Sequence, residues 1–191
     1  MRRLLVALML VGGLTGCGAP ATPADSPAGW SGIGSATVAE IPAPVGLEIP
    51  KIGVRTAEPL MPLALDAEME LDVPPLDRPE LAGWFKSGVR PGDVGPAVIA
   101  GHVNGGGRPG IFARLHELAP GDEVFVDRED GSRLRFVVVR TASYPKDAYP
   151  TAEVYGDVPT PQLRLVTCAG DFDEAADSYR ENLVAYAELT P

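Results

Sequence analysis

The sequence predicts a mostly β domain, built as a closed or nearly closed β-barrel with short helices in its loops. One reason is that short β-branched runs bounded by turn residues recur along the chain, as strands do. Another is that 22 glycines and 20 prolines among 191 residues disfavour long helices and suit a barrel with tight turns. The predicted strands include Val98–Ala100, Glu123–Asp127, Arg133–Ala142 and Leu163–Thr167.

Other segments fit the same fold. The stretch Gly46–Val54 has an extended pattern and predicts a further strand. Asp127–Ser132 separates two alternating runs and contains an Asp-Gly pair, so it predicts a hairpin turn. Ile111–Leu118 spaces its apolar residues as a short helix would. Trp84-Phe85 predicts core packing rather than a platform for a ligand.

The N-terminal residues predict export. A basic Met1–Arg3 precedes the apolar run Leu4–Leu14, which is shorter than the roughly 20 residues that span a bilayer. Leu14-Thr15-Gly16-Cys17 resembles the lipobox of bacterial lipoproteins. It predicts a lipoprotein-type signal peptide over residues 1–16 and lipidation of Cys17. An ordinary signal peptide or an uncleaved short anchor is the alternative, and either places the globular part outside the cytoplasm.

Composition divides the rest of the chain into two parts. Residues 17–46 are rich in Pro, Ala, Gly and Ser and predict a flexible spacer, which leaves a domain over residues 47–191. The net charge is −10, with 26 acidic against 16 basic residues. Because binding to phosphate backbones needs a basic surface, a nucleic-acid partner is not expected.

Cys168 is the residue on which the functional prediction depends. The chain has two cysteines, and the other is Cys17 in the leader, so Cys168 is either a buried hydrophobe or a nucleophile. A nucleophilic thiolate needs a nearby base or cation. Of the two histidines, His116 lies within the predicted helix, whereas His102 follows a strand and opens a glycine-rich loop. We therefore choose His102 as the partner.

An arginine would complete an acyl-transfer set, because a fixed guanidinium stabilises the negative charge that develops on an attacked carbonyl oxygen. Arg180 lies twelve residues after Cys168. Arg164 is a rival, since strand alternation puts it on the same face as Cys168. Arg180 could instead be a surface ion-pair member beside Asp177 or Glu181.

At these residues the chain resembles the bacterial sortases, and among them most closely the class F proteins of actinobacteria. Similarity extends from about Leu47 to the C-terminus. Its motifs are Leu47–Gly53 for the first strand, Ala100-Gly101-His102, Gly110–Leu115 for the short helix, Leu163–Cys168, and Arg180 at the start of the last strand.

The resemblance implies an eight-stranded β-barrel and a cysteine transpeptidase. Cys168 would attack the Thr–Gly bond of a Leu-Pro-x-Thr-Gly-like sorting signal on a protein substrate, and His102 would exchange protons with the leaving and incoming amines. Arg180 would hold the oxyanion, and Thr167 would line the groove unless it is only a β-former. An amine on a cell-wall precursor or a protein would accept the acyl group. A transmembrane helix usually anchors sortases to the membrane. The lipoprotein-like leader of this chain therefore differs from the family in its type of membrane anchor.

Two other functions stay open. One is a hydrolytic cysteine peptidase, in which water resolves the acyl-enzyme. The other is a non-catalytic surface lipoprotein that uses the barrel as a binding module. No cofactor or metal is expected: Asp171–Asp177 is acidic but lacks the spacing of a calcium loop, and no Cys/His cluster has zinc spacing.

Overall fold

The computed structural model describes residues 41–67 and 69–191. The predicted signal peptide, Cys17 and most of the predicted spacer therefore lie outside the described residues. Within them the protein is mostly β, as the sequence predicts. Three short 3-10 turns (Pro50–Ile52, Leu115–Glu117 and Lys146–Ala148) and one helix, α1 (Thr151–Tyr155), lie in the connections.

Eleven strands are present in the described part of the chain. They are β1 (Pro44–Ile49), β2 (Val54–Arg55), β3 (Met61–Leu63), β4 (Ala82–Phe85), β5 (Gly95–Gly101), β6 (Asn104–Gly105), β7 (Arg108–Pro109), β8 (Glu123–Arg128), β9 (Arg133–Pro145), β10 (Pro161–Asp173) and β11 (Ser178–Thr190).

Nine of these strands form one sheet in the order β2-β1-β8-β9-β11-β10-β5-β4-β3, and β6 pairs with β7 in a separate hairpin. The sheet nearly closes on itself, because Leu60, just before β3 at one edge, donates its backbone N–H to the carbonyl of Val45 in β1, 3.2 Å away. The sheet has one strand more than the eight expected, since the short strands β2 and β3 both pair at its edges.

The core fills the inner face of the curled sheet. Full burial of each large aliphatic side chain there contributes about 1.5–3 kcal/mol. The fully buried residues include Leu47, Ile49, Ile99, Val124, Val126, Phe136, Leu163 and Leu165. The alternation predicted for Arg133–Ala142 is confirmed at Phe136 and Val138, and Trp84 also packs in this core.

A second apolar cluster lies on the opposite, outer face of the sheet. It joins β5, β10 and β11 and includes Val154 of α1, which is fully buried. The segment between β9 and β10 therefore folds back over the outside of the sheet. The buried members of the cluster are Val98, Val154, Val166, Val184 and Tyr186.

Two local expectations differ from the structure. Strand β1 begins at Pro44, so the last residues of the predicted spacer belong to the sheet. The predicted helix over Ile111–Leu118 is instead a series of turns, in which Leu115 donates to Phe112 and Leu118 donates to Leu115 three residues back. Leu115 and Leu118 are buried on one side as expected, but the three-residue hydrogen bonds make the segment a series of 3-10 turns.

Candidate active site

Three adjacent strands carry the residues singled out in the sequence. Parallel strands β5 and β10 pair up to Ala100 and Val166, and β10 pairs with antiparallel β11 at Cys168 and Asn182. His102 lies two residues after Ala100, and Cys168 lies two residues after Val166. His102 directly follows the end of β5, whereas Cys168 lies within β10.

Strand alternation puts the side chains of Cys168 and Arg180 on the outer face of the sheet, and His102 directly follows β5, whose Val98 faces the same side. Alternate residues of each strand point to the same face. His102 follows Val98 on β5 by two such steps and Cys168 follows Val166 by one, and both valines belong to the outer cluster. Arg180 precedes Val184 by two steps along β11. Cys168 is a free, half-buried thiol.

His102 is held firmly from several sides. Its side chain is 9 % exposed, and its Nε2 lies 2.5 Å from the carbonyl oxygen of Pro74. Because a carbonyl only accepts, Nε2 carries the hydrogen of this bond, and Nδ1 is left for proton exchange. The backbone is fixed as well, since Phe112 donates to the His102 carbonyl at 3.0 Å. Gly110 passes so close that a Cβ there would lie 2.1 Å from that oxygen.

Arg180 lies at the surface in an ion pair. Its guanidinium is 66 % exposed and its Nη2 is 3.3 Å from Oδ2 of Asp173, across the β10–β11 hairpin. Asp173 also caps the turn, because its Oδ1 accepts from the backbone of Ala175 and Ala176. Hydrogen bonds from Ala176 and Ala175, followed by the charge of Arg180, lower the pKa of Asp173. The turn and the arginine therefore depend on the same carboxylate.

A β-bulge separates the cysteine from this turn. The β10–β11 register shifts between Ala169 and Phe172, where Gly170 has a φ of +74°. A side chain there would be strained by this left-handed conformation, and its Cβ would lie 2.9 Å from Cγ of Glu181. Gly170 thus sets the angle at which the hairpin leaves the sheet next to Cys168.

Thr167 is a buried residue of β10. It follows Leu163 and Leu165 on the inner face, and it is buried with no hydrogen-bond partner for its hydroxyl among the described residues. Strand alternation therefore directs the side chain of Thr167 into the core, and only its backbone borders the outer face.

Arg164, the rival arginine, shares the outer face but is only 3 % exposed. Its guanidinium carbon is 4.5 Å from the centre of the Tyr186 ring, and its Nη2 donates to Gln162 at 2.7 Å. Burial lowers the pKa of Arg164. Since it precedes Cys168 by four strand residues, or about 13 Å, Arg164 is a buried packing group at a distance from the thiol.

A pocket of about 590 Å³ lies between two hairpins near these residues. One wall is the β6–β7 hairpin, which follows His102, and the other is the tip of the β10–β11 hairpin. Its lining residues are Val103, Asn104, Gly105, Gly106, Gly107, Arg108, Pro109, Ala113, Phe172 and Tyr179.

Several of these features escaped the sequence analysis. The Pro74 carbonyl is a backbone group 28 residues before His102, so no side-chain pattern could indicate it. Asp173 pairs with Ser178 across the hairpin, so its contact with Arg180 is a diagonal one that depends on the strand register. Within residues 41–67 and 69–191, no group of His, Cys, Asp or Glu is arranged to hold a metal ion. No helix in these ranges is long and apolar enough to cross a membrane.

A half-buried thiol, a histidine and an arginine near neighbouring strand ends are the types of group that thiol acyl transfer uses. A family model described as the sortase domain matches residues 47–190. The chain therefore belongs to the sortase family, whose members are extracytoplasmic cysteine transpeptidases that act on sorting-signal proteins and amine acceptors. No curated protein sequence matches the chain.

Solved sortase structures have the same fold. Sortase C-1 from Actinomyces oris is 21 % identical with a TM-score of 0.58, over 77 % of this chain and 73 % of that one. Sortase A from Corynebacterium diphtheriae is 21 % identical with a TM-score of 0.57, over 81 % and 63 % of the two chains. A Clostridium perfringens sortase D5 transpeptidase is 19 % identical with a TM-score of 0.54, over 78 % and 79 %.

Proposed function

We propose that this protein is a cysteine transpeptidase that cleaves a Leu-Pro-x-Thr-Gly-like sorting signal and transfers the new acyl end to an amine. The observation that supports the proposal is that Cys168 lies on β10, Arg180 on the paired strand β11, and His102 directly after β5, which pairs with β10 on its other side. Buried core residues occupy the opposite face of the same strands, so the chemistry has a rigid support.

In the first half-reaction, the thiolate of Cys168 attacks the threonine carbonyl carbon and forms a C–S bond. The carbonyl oxygen becomes negative, and Arg180 stabilises that charge. The peptide C–N bond then breaks as Nδ1 of protonated His102 gives its proton to the leaving glycine amine. The product is a thioester on Cys168 and a neutral imidazole.

In the second half-reaction, neutral His102 takes a proton from the incoming amine, whose nitrogen attacks the thioester carbon. A new amide forms, the C–S bond breaks, and Cys168 leaves as thiolate. His102 is protonated again, so the starting state returns. The hydrogen bond from Nε2 to Pro74 supports this role, because it keeps Nδ1 as the exchanging nitrogen. We assign Thr167 only a backbone position along the groove.

We further propose that the protein is a class F sortase, and that lipid on Cys17 anchors it to the extracytoplasmic side of the membrane. The class rests on the sequence motifs, since the solved structures above belong to classes A, C and D and are too distant to define one. Mass spectrometry of membrane-extracted protein tests the anchor. A lipidated N-terminal cysteine is the expected result, and residues retained before Cys17 would contradict it.

The function is tested by incubating the protein with a sorting peptide, with and without triglycine, and analysing the products by mass spectrometry. A ligated product that requires triglycine is expected. Cleavage without ligation would favour the hydrolytic peptidase. No cleavage, together with slow reaction of Cys168 with thiol reagents, would favour the binding module.

A further inference from the structure

Asn182 is the residue that faces Cys168 directly across the β10–β11 pair. Residues paired in this way point to the same side of a sheet, with their Cβ atoms about 4.5–5.5 Å apart. The neighbouring pair on this side is Val166 with Val184, and both valines belong to the outer cluster. The side chains of Cys168 and Asn182 therefore lie beside each other on the outer face.

The side-chain amide of Asn182 has hydrogen-bonding capacity that the fold does not use. The residue is half-buried, and its amide forms no hydrogen bond with any group in residues 41–67 and 69–191. Covering such a group without a partner costs free energy, because hydration is lost and nothing replaces it. Asparagine is also disfavoured within strands, where β-branched and aromatic residues fit better. A residue that breaks the local pattern beside a nucleophile indicates a functional role.

The charged donors nearest to Asn182 along the chain and across the hairpin already have partners. Arg180, two residues earlier on the same face, pairs with Asp173. Lys146, which directly follows β9, donates from Nζ to Oγ of Ser178 at 2.7 Å. Both cations are therefore held toward the tip of the β10–β11 hairpin, whereas Asn182 lies level with the cysteine.

Tyr144 flanks Asn182 on the side away from Cys168, where β11 pairs with β9. Its hydroxyl donates to Oε1 of Glu153 at 3.0 Å and lies 3.0 Å from the hydroxyl of Tyr186. These contacts occupy the hydroxyl of Tyr144, and they leave the amide of Asn182 available on the side of the sulfur.

The position of the amide suits the oxygen that becomes negative during acyl transfer. In the tetrahedral intermediate, the substrate carbonyl carbon is bonded to Sγ of Cys168. Sγ and the amide carbon of Asn182 are each bonded directly to a Cβ, so a carbonyl group on the sulfur is within reach of the amide. The two amide N–H groups are donors, and a donor fixed near the developing charge stabilises it. Arg180 is diagonal to Cys168 in the same strand pair, so the two donors approach the oxygen from different directions.

We propose that Asn182 is a catalytic residue whose Nδ2 donates a hydrogen bond to the threonine carbonyl oxygen as the C–S bond forms. The inference rests on the proposed function and adds a second donor beside Arg180. Asn182 transfers no proton. Its hydrogen bond strengthens as the oxygen becomes negative and weakens again when the C–N bond breaks. Loss of the amide should therefore lower kcat much more than it raises KM.

The experiment measures kcat and the donor KM of Asn182→Leu and Asn182→Asp with a sorting peptide and triglycine. Both variants keep roughly the size of asparagine and remove its N–H donors. We expect kcat to fall about 10²-fold in each, as the loss of one oxyanion donor does, with little change in KM.

Gln162→Leu is the matched control, because it also removes an amide from the outer face. Gln162 lies on β10 six residues before Cys168, which is roughly 20 Å along a strand. The kcat of this control, expressed per folded molecule, should equal that of the unmodified protein.

A second measurement separates a direct role from a structural one. Iodoacetamide alkylates the Cys168 thiolate by displacement of iodide from a saturated carbon, so no carbonyl oxygen becomes negative. The alkylation rate and its pH dependence should therefore be the same in Asn182→Leu as in the unmodified protein. A disturbed thiol or imidazole would instead slow alkylation together with peptide cleavage.

Three results would overturn this inference alone. They are an unchanged kcat in Asn182→Leu, a retained kcat in Asn182→Asp, and alkylation of Asn182→Leu slowed as much as its peptide cleavage. In each case the unmodified protein still cleaves and transfers the donor. Absence of donor cleavage by the unmodified protein would overturn the proposed function, and the inference with it.

Discussion

Strand β10 presents two different surfaces over the same few residues. On the inner face, Leu163 and Leu165 are fully buried and contribute to the core. On the outer face, Val166 is followed two residues later by the half-buried Cys168. The side chains of the two sets alternate along one backbone. The comparison teaches that one strand supplies stability on one side and chemistry on the other, so substitutions on the two faces should have separable effects.

The largest separation is expected at Cys168. Cys168→Ala should abolish turnover, because no other nucleophile replaces the sulfur, while the melting temperature stays nearly unchanged. His102→Ala should also abolish turnover in a folded domain, with a lower melting temperature because the hydrogen bond to the Pro74 carbonyl is lost. Product formation by mass spectrometry and thermal unfolding by circular dichroism check the two halves of the prediction. Turnover in the Cys168 variant would refute the assignment of this face to catalysis.

The inner face should show the opposite behaviour. Leu165→Ala removes a fully buried side chain and should lower the free energy of unfolding by about 2–5 kcal/mol. The remaining folded protein should still transfer the acyl group at a similar rate. Denaturant unfolding together with the rate per folded molecule measures this. A stability loss below roughly 1 kcal/mol would show that the inner face is not the core we describe.

Arg180 and Arg164 sharpen the comparison within the outer face. Arg180→Ala should reduce kcat by about 10²–10³-fold, as the loss of one oxyanion donor does. Arg164 is buried against Tyr186, so Arg164→Ala should act mainly on stability. Steady-state kinetics and thermal unfolding of both variants distinguish the roles. A larger loss of kcat in the Arg164 variant than in the Arg180 variant would assign oxyanion stabilisation to Arg164 instead.

The smallest effect is expected at Asp173. Asp173→Asn should lower the rate about two- to fivefold, because the carboxylate that holds Arg180 loses its charge. Since the pKa of Asp173 is lowered, the ion pair is present above the ordinary pKa of about 3.9 and is lost only as the pH falls below it. The ratio of kcat/KM for the unmodified protein to kcat/KM for Asp173→Asn should therefore be constant from about pH 5 to 8. A ratio that varies across this range would contradict the role given to Asp173.

Much of this arrangement could be predicted from the sequence, because its signals are local. The Asp130-Gly131 hairpin, the alternating face of β9 and the core position of Trp84 all follow from neighbouring residues. The spacing of apolar residues did not predict strand β11, which only the family resemblance indicated. It pairs on both sides, with β9 and β10, and no short segment of it reveals those distant partners.

Other features depend on contacts between distant residues. The sequence could not give the face on which the Thr167 side chain lies, because the motif supplies its neighbours along the chain but not the orientation of the strand. The Pro74 carbonyl that fixes His102 belongs to the connection between β3 and β4, where the sequence gives no sign of its contact with the histidine. The β-bulge at Gly170 likewise depends on its partner strand.

The most direct test of the account is intact-protein mass spectrometry after incubation with the sorting peptide alone, with no amine added. An acyl adduct of the expected mass, mapped to Cys168 and absent from the Cys168→Ala protein, is the predicted result. A folded protein that cleaves the peptide but never carries the adduct on Cys168 would contradict it.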